Sequence, residues 1–299
     1  MDRRDYLRAL GVGGAASLSG CVADGDGGAS APSLAAGRLT LATATTAHDS
    51  GLLGRLNPGF REAFGAEVRT LVEGTGAALR TAQDGDCDVV LVHARPLEDR
   101  FLREGHGVNR RTLMRNDFLL VGPRGDPAAA AGRPVTDAFR AVARAGTPFL
   151  SRGDDSGTHV RERRIWDAAS VDPTGAWYRE TGQGMGDTLT TADEVGAYTL
   201  TDRGTFLTLR PDVDLVAHVD HGIADPPPLL RNEYGLIPVN PARHDVAYPL
   251  AMAYVGYLTG PAQAAIRRFR RDGERAFHPT ARSPEPRFEQ YVPTDWSGD

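Results

Sequence analysis

The run Cys87-Asp88-Val89-Val90-Leu91-Val92 constrains the fold more than any other stretch of the chain. It is almost continuously apolar, the pattern of a strand buried on both faces, and such a strand needs helices on either side of its sheet. The neighbouring sequence supplies them. Alternation through Leu39, Leu41 and Thr43 predicts a strand over 38–43, and another is expected at 68–72. Helices are expected at 51–64, with Pro58 marking a break or a new start, at the Ala-rich 75–82 and at 96–103. Strand and helix alternating in this order predict an α/β fold with a parallel sheet.

With 299 residues the chain is too long for one small domain and suits two lobes. A strand at 117–121 runs into Gly122-Pro123-Arg124-Gly125-Asp126-Pro127, punctuation expected at a lobe boundary. A second α/β set opens with a helix over 136–144. Pro226-Pro227-Pro228 breaks the chain again, and a strand returns over 236–239. Ala262, Ala265, Ile266 and Phe269 keep i, i+3, i+4, i+7 spacing, which predicts an amphipathic helix over 261–271 with Pro261 in its first turn.

The N-terminus carries Arg3-Arg4, then a Gly/Ala-rich apolar run from Ala9 to Leu18, then Leu18-Ser19-Gly20-Cys21. A twin-Arg pair before a short apolar run has the form of a Tat export signal. The run is too short to span a bilayer. Its ending resembles a lipobox, so residues 1–21 are expected to be a lipoprotein signal with Cys21 lipidated. Residues 22–37 hold few large apolar side chains and are expected to be a flexible tether. The body then works outside the cytoplasm, beside a membrane and held to it by lipid. Cys87, the other cysteine, is expected to be a small buried strand residue, which leaves no disulfide. All 34 basic residues are Arg, and the net charge is −5. No basic stripe is interleaved with aromatics, so nucleic acid is not an expected partner.

The densest chemical signal is Ser151-Arg152-Gly153-Asp154-Asp155-Ser156-Gly157-Thr158-His159. It follows a short strand and precedes a helix that Asp155 or Ser156 can cap. Free backbone N–H groups of a first helical turn, a glycine that allows close approach, the Thr158 hydroxyl and the Arg152 fork are together an anion site. Thr43-Ala44-Thr45-Thr46-Ala47-His48-Asp49-Ser50-Gly51 is a second such place, where a first strand meets a first helix. The Gly-rich 182–189 and the stretch 198–206 are weaker signals in which Asp187 or Asp202 can cap a helix. Ser156, His159 and Asp155 lie too close together at a helix start to form a hydrolase triad, and no Gly-x-Ser-x-Gly elbow occurs, so no enzyme is expected. The eight His are scattered without paired metal-ligand spacing, and His93 and His159 read as hydrogen-bonded core groups.

In these segments the chain resembles the TupA-type tungstate-binding proteins, the soluble receptors of tungstate ABC importers. The resemblance runs from the Thr-rich loop and Asp49-Ser50-Gly51-Leu52-Leu53 through Gly74-Thr75-Gly76, Asp88 to Ala94, Asn116-Asp117-Phe118 and Ser151 to His159. It continues through Trp177-Tyr178, 182–189 and 198–205 to Asn232. It implies a two-lobed α/β fold of the type II periplasmic-binding-protein kind, with the ligand in a cleft between lobes and two crossing segments. Lobe 1 is then 38–121 plus 236–299, and lobe 2 is 122–235. It also implies Thr45 and Thr46 as first-loop ligands, Thr75 in the cleft, and Arg152, Ser156, Gly157 and Thr158 from the second lobe. The expected ligand is tungstate or molybdate, with no cofactor and no cation site. The expected partners are an ABC permease and ATPase, with the receptor itself a monomer. Ala44 and Ala47 interrupt the family's run of hydroxyls, and Glu233 follows Asn232 where Pro is expected. A phosphate receptor or a non-transport anion sensor is the alternative.

Overall fold

The computed structural model describes residues 37–282 and 287–295. The expected signal over 1–21, Cys21, and the expected tether up to residue 36 lie outside the described residues. In chain order the first elements are β1 (Arg38–Ala44), α1 (Thr45–Asp49), α2 (Leu52–Phe64), β2 (Glu67–Glu73), α3 (Thr75–Gln83), β3 (Val89–Val92), α4 (Arg95–Arg103) and β4 (Arg111–Gly122). There follow α5 (Val135–Ala145), β5 (Phe149–Ser151), α6 (Gly157–Ala168), β6 (Tyr178–Glu180), α7 (Met185–Val195), β7 (Tyr198–Asp202) and α8 (Arg203–Leu209). The last main elements are β8 (Val216–Val219), β9 (Arg231–Pro238), α9 (Tyr248–Thr259) and α10 (Gln263–Arg268).

Eight of the strands follow one path, β2-β1-β3-β9-β4-β7-β5-β6, and β8 pairs with β4 off that path. At one end β2, β1 and β3 are parallel; at the other β6, β5 and β7 are parallel. Between them run β4 and β9, antiparallel to each other, with Asn116 opposite Asn232. The late half of β9 pairs with β3 and the late half of β4 pairs with β7, so these two strands join a first and a second α/β lobe.

Each half of the sheet is covered on both faces. Val89 and Leu91 enter one apolar layer with Leu39, Phe60, Leu236 and Tyr254, while Val90 and Val92 enter another with Leu79, Phe101 and Ile237. Successive strand residues point to opposite faces, so a continuous apolar run is what two covered faces require. In the second lobe Phe118 and Leu120 pack with Phe149, Trp166 and Tyr198, and Leu119 and Val121 pack with Leu150, Met185 and Leu189. Cys87 precedes β3, is buried in the same layer as Val90, and its thiol is pushed up to about 12, chiefly by burial. No helix among the described residues is long and apolar enough to cross a membrane.

Two expectations about elements are corrected, and one helix was not expected. Pro58 does not interrupt α2. The ring removes the bond to the Gly54 carbonyl, but both residues are exposed, so water takes the carbonyl while Leu52, Leu53, Leu56 and Phe60 anchor the other face. The helix expected over 261–271 is confined to Gln263–Arg268. Arg270 and Arg271 instead pair with Arg275 and Glu274 around Asp272-Gly273, whose φ values of 44° and 76° suit a tight hairpin turn. Helix α9 carries no amphipathic stripe to reveal it, being apolar nearly all round, and it buries Leu250, Ala251, Tyr254, Val255 and Leu258.

Candidate anion-binding site

The carboxyl ends of the parallel strands in both lobes meet at one seam, where α/β sheets gather ligands. Strand β1 runs directly into Thr45 and Thr46, and β5 ends at Ser151, whose successor Arg152 turns into the seam.

The second-lobe wall is built locally. Asp154 accepts the Ser156 N–H at 3.1 Å on one oxygen and an Arg152 N–H on the other. Ser156, not Asp155, is the cap of α6, accepting the His159 N–H at 3.2 Å. Gly153 and Asp155 take left-handed backbone, with φ of 61° and 53°, which folds the loop tightly before the helix. The Arg152 side chain is 2% exposed, donates to the Gln183 carbonyl at 3.2 Å, and crosses the seam to the Thr45 hydroxyl, also at 3.2 Å. Three of the five guanidinium N–H groups are thereby used, which leaves two for a ligand.

Gly157 stands against the first lobe so closely that a Cβ there would lie 2.6 Å from the His93 ring. Thr46 hydrogen-bonds that ring at 3.0 Å. Thr75 sits at the start of α3 between two glycines that face the Arg152 loop. A Cβ at Gly74 would lie 3.7 Å from the Asp154 carboxylate, and one at Gly76 would lie 3.5 Å from the Asp155 carbonyl. Thr45, Thr46, Thr75, Arg152, Ser156, Gly157 and Thr158 thus come from both lobes to one place. All but Thr45 are buried there. Among the described residues, the hydroxyls of Thr75 and Thr158 are buried without a hydrogen-bond partner. A buried hydroxyl left so costs on the order of 1–3 kcal/mol, which an oxyanion accepting from it would recover.

Of two neighbours expected as helix caps, one differs. Asp187 does not cap a helix: Gly184 holds that position in α7 and Asp187 lies in the first turn. It faces Asp49 across a cavity of about 350 Å³ that Thr45 and Thr205 also line. Burial is the main cause that pushes the Asp49 carboxyl above its ordinary range, with Asp187 adding to it. Asp202 does cap α8.

Sequence reasoning passed over the residues behind Thr46. His93 is buried, as a core histidine would be, but it lies between Thr46 and Asn232, which bonds its Nδ1 at 2.9 Å. Tyr234 reaches the Thr46 hydroxyl at 3.3 Å. No local motif carries these contacts; the only signal was a polar residue directly after the apolar run of β3 and a polar start to β9.

The family model described as PBP superfamily domain matches residues 28–262. A protein of Haloferax volcanii, named for anion binding in an ABC transporter in a name that marks itself provisional, is 51% identical across all of this chain and 92% of its own. The tungstate-binding protein TupA of Peptoclostridium acidaminophilum is 40% identical over 77% of this chain and 80% of its own. Among solved structures, the tungstate ABC transporter protein from Geobacter sulfurreducens matches with TM-score 0.69 and 46% identity, covering 75% of this chain and 94% of that one. TupA from Desulfovibrio alaskensis G20 matches with TM-score 0.68 and 38% identity, over 83% of this chain and 100% of that one. With donors from both lobes meeting at such a seam, the chain belongs to the PBP superfamily and, within it, to the TupA-type tungstate-binding proteins.

Proposed function

We propose that the protein captures tungstate in the seam between its lobes and delivers it to an ABC permease and its ATPase. The observation that carries this reading is the buried Arg152 guanidinium, which joins the lobes through Thr45 beside the unpartnered Thr75 and Thr158 hydroxyls. The guanidinium only donates, and both hydroxyls have a proton free to donate. Tungstate and molybdate are fully ionised near neutral pH and only accept, whereas phosphate keeps a proton part of the time, with a second pKa of about 6 for its monoesters. Asp154 already accepts from Arg152 and from the Ser156 N–H, which commits it to the loop. The names of the relatives at 40% and 46% identity support tungstate.

The same reading makes the protein a monomeric receptor outside the cytoplasm, held to the membrane by a lipid on Cys21, with lobes of 38–121 plus 236–299 and of 122–235. Its support is the order of twin-Arg pair, apolar run and lipobox in the sequence. The relatives are binding proteins, and the seam is assigned no catalytic step.

The test is thermal unfolding of residues 38–299 against tungstate, molybdate, phosphate and sulfate. A ligand at a hundred times its dissociation constant adds about 2.7 kcal/mol. The expected result is a large shift with tungstate and none with phosphate. A shift with phosphate alone moves the function to phosphate uptake, and no shift with any of the four overturns oxyanion capture.

A further inference from the structure

Behind the site runs a chain of buried side chains that crosses from one lobe to the other. Asp202, at the end of β7, accepts the Asn116 amide N–H at 3.0 Å. Asn116 accepts from the Asn232 amide at 2.7 Å across the paired strands β4 and β9. Asn232 turns its oxygen to His93 Nδ1 at 2.9 Å, and His93 Nε2 meets the Thr46 hydroxyl at 3.0 Å. All five residues are 5% exposed or less.

The direction of this chain follows from its far end. Asp202 also accepts the Thr205 backbone N–H at 3.2 Å and the Thr205 hydroxyl at 2.6 Å, so it is surrounded by donors and acts as an acceptor. Asn116 must then point its NH2 at Asp202 and its oxygen at Asn232. Asn232 must point its NH2 at Asn116 and its oxygen at His93. His93 therefore carries its proton on Nδ1, and its Nε2 has only a lone pair, which takes the proton of Thr46. Burial, the largest cause, also drives the His93 imidazole down to about 3, so a single proton on the ring is the form at neutral pH. Tyr234 donates to Thr46 from its other side at 3.3 Å.

We propose that Asp202, acting through Asn116, Asn232 and His93, is a positioning residue that turns the Thr46 hydroxyl proton away from the ligand. The adjacent threonines then have opposite roles. Thr45 accepts from Arg152 and keeps its own proton for the anion. Thr46 spends its proton on His93 and covers the Nε2 lone pair that faces it. That lone pair is an acceptor an incoming protonated oxyanion could use, and covering it keeps this wall closed to such a ligand. This inference rests on the oxyanion-capture reading for its consequence, but the proton arrangement holds with or without ligand.

The experiment is long-range ¹H–¹⁵N correlation of the His93 ring in ligand-free protein at neutral pH, on the wild type and on Asp202→Ala. The expected wild-type pattern is a single Nδ1–H tautomer. In Asp202→Ala the Asn116 amide is free to turn, and His93 is expected to populate Nε2–H, the form imidazole prefers when nothing constrains it. Asn116→Ala cuts the chain one bond nearer the site and serves if Asp202→Ala does not fold. An Nε2–H tautomer in the wild type overturns the proposal, as does an Nδ1–H ring left unchanged in the folded variant. In tungstate titrations Thr45→Val is expected to weaken binding about tenfold more than Thr46→Val, the value of one lost hydrogen bond. Equal losses would restore Thr46 as a ligand. Failure of tungstate to bind the wild type would sink the capture reading and leave the tautomer result standing.

Discussion

The two walls of the seam are built by opposite means. In the second lobe Arg152, Asp154, Ser156 and His159 hold one another across separations of two or three residues, and the loop dictates its own shape. In the first lobe Thr46 depends on His93, 47 positions later, and on Tyr234, 188 positions later. The charged wall is therefore largely assembled once β5, the loop and α6 have formed. The hydroxyl wall has its geometry only after β3, β4 and β9 are in register. Local construction suits the part that must hold a full charge in place, because few distant contacts can misplace it.

The difference can be attacked at four places. Arg152→Ala removes the charged donor and is expected to weaken tungstate binding by on the order of a hundredfold or more, since hydrogen bonds to ionised groups are worth about 1.5–3 kcal/mol each. Titration calorimetry reads this, and unchanged affinity would count against the charged wall. Glu162 supports that wall from inside α6, accepting from Trp166 Nε1 at 3.1 Å and Tyr178 Oη at 2.9 Å. Burial, the main cause, pushes its carboxyl from 4.5 up to about 7. The folded state therefore holds the proton more tightly than the unfolded state. This group's contribution is full below pH 4.5 and is lost as pH rises through about 7. Glu162→Gln is expected to abolish that loss, on the order of 3 kcal/mol, and urea unfolding at pH 5 and pH 8 measures it.

Gly157→Ala tests the contact between the walls. Its new methyl would lie 2.6 Å from the His93 ring, and overpacking of this kind costs about 1–3 kcal/mol. The expected outcome is weaker tungstate binding; a variant that binds as well as the parent would mean that Gly157 and His93 need not touch in the bound form. The smallest effect belongs to Ser156→Ala, which loses the α6 cap and about 1 kcal/mol of stability by thermal unfolding.

This contrast also explains what could be read in advance. Arg152, Ser156, Gly157 and Thr158 stand in one motif, with Asp154 and His159 as near partners, so their meeting was visible in the chain. The buried run ending in Val92 announced the sheet by composition alone. His93 looked like a core histidine because its partners are distant in the chain: Thr46 lies 47 positions before it and Asn232 139 positions on. Strands β4 and β9 were each half hidden, expected over 117–121 and 236–239 but extending over Arg111–Gly122 and Arg231–Pro238. The missing halves hold Arg115, Asn116, Asn232 and Glu233, polar residues that erase an apolar pattern in the segment joining the lobes.

The pairing of β4 with β9 sets which mechanical freedom the lobes retain. A two-stranded antiparallel ribbon resists stretching and sliding, because either displacement breaks its ladder bonds, but it twists readily. One end of this ribbon is sewn into the sheet of the first lobe and the other into that of the second. Torsion about this pair is then the displacement between lobes that breaks fewest of its ladder bonds, with Asn116 and Asn232 opposite each other along it.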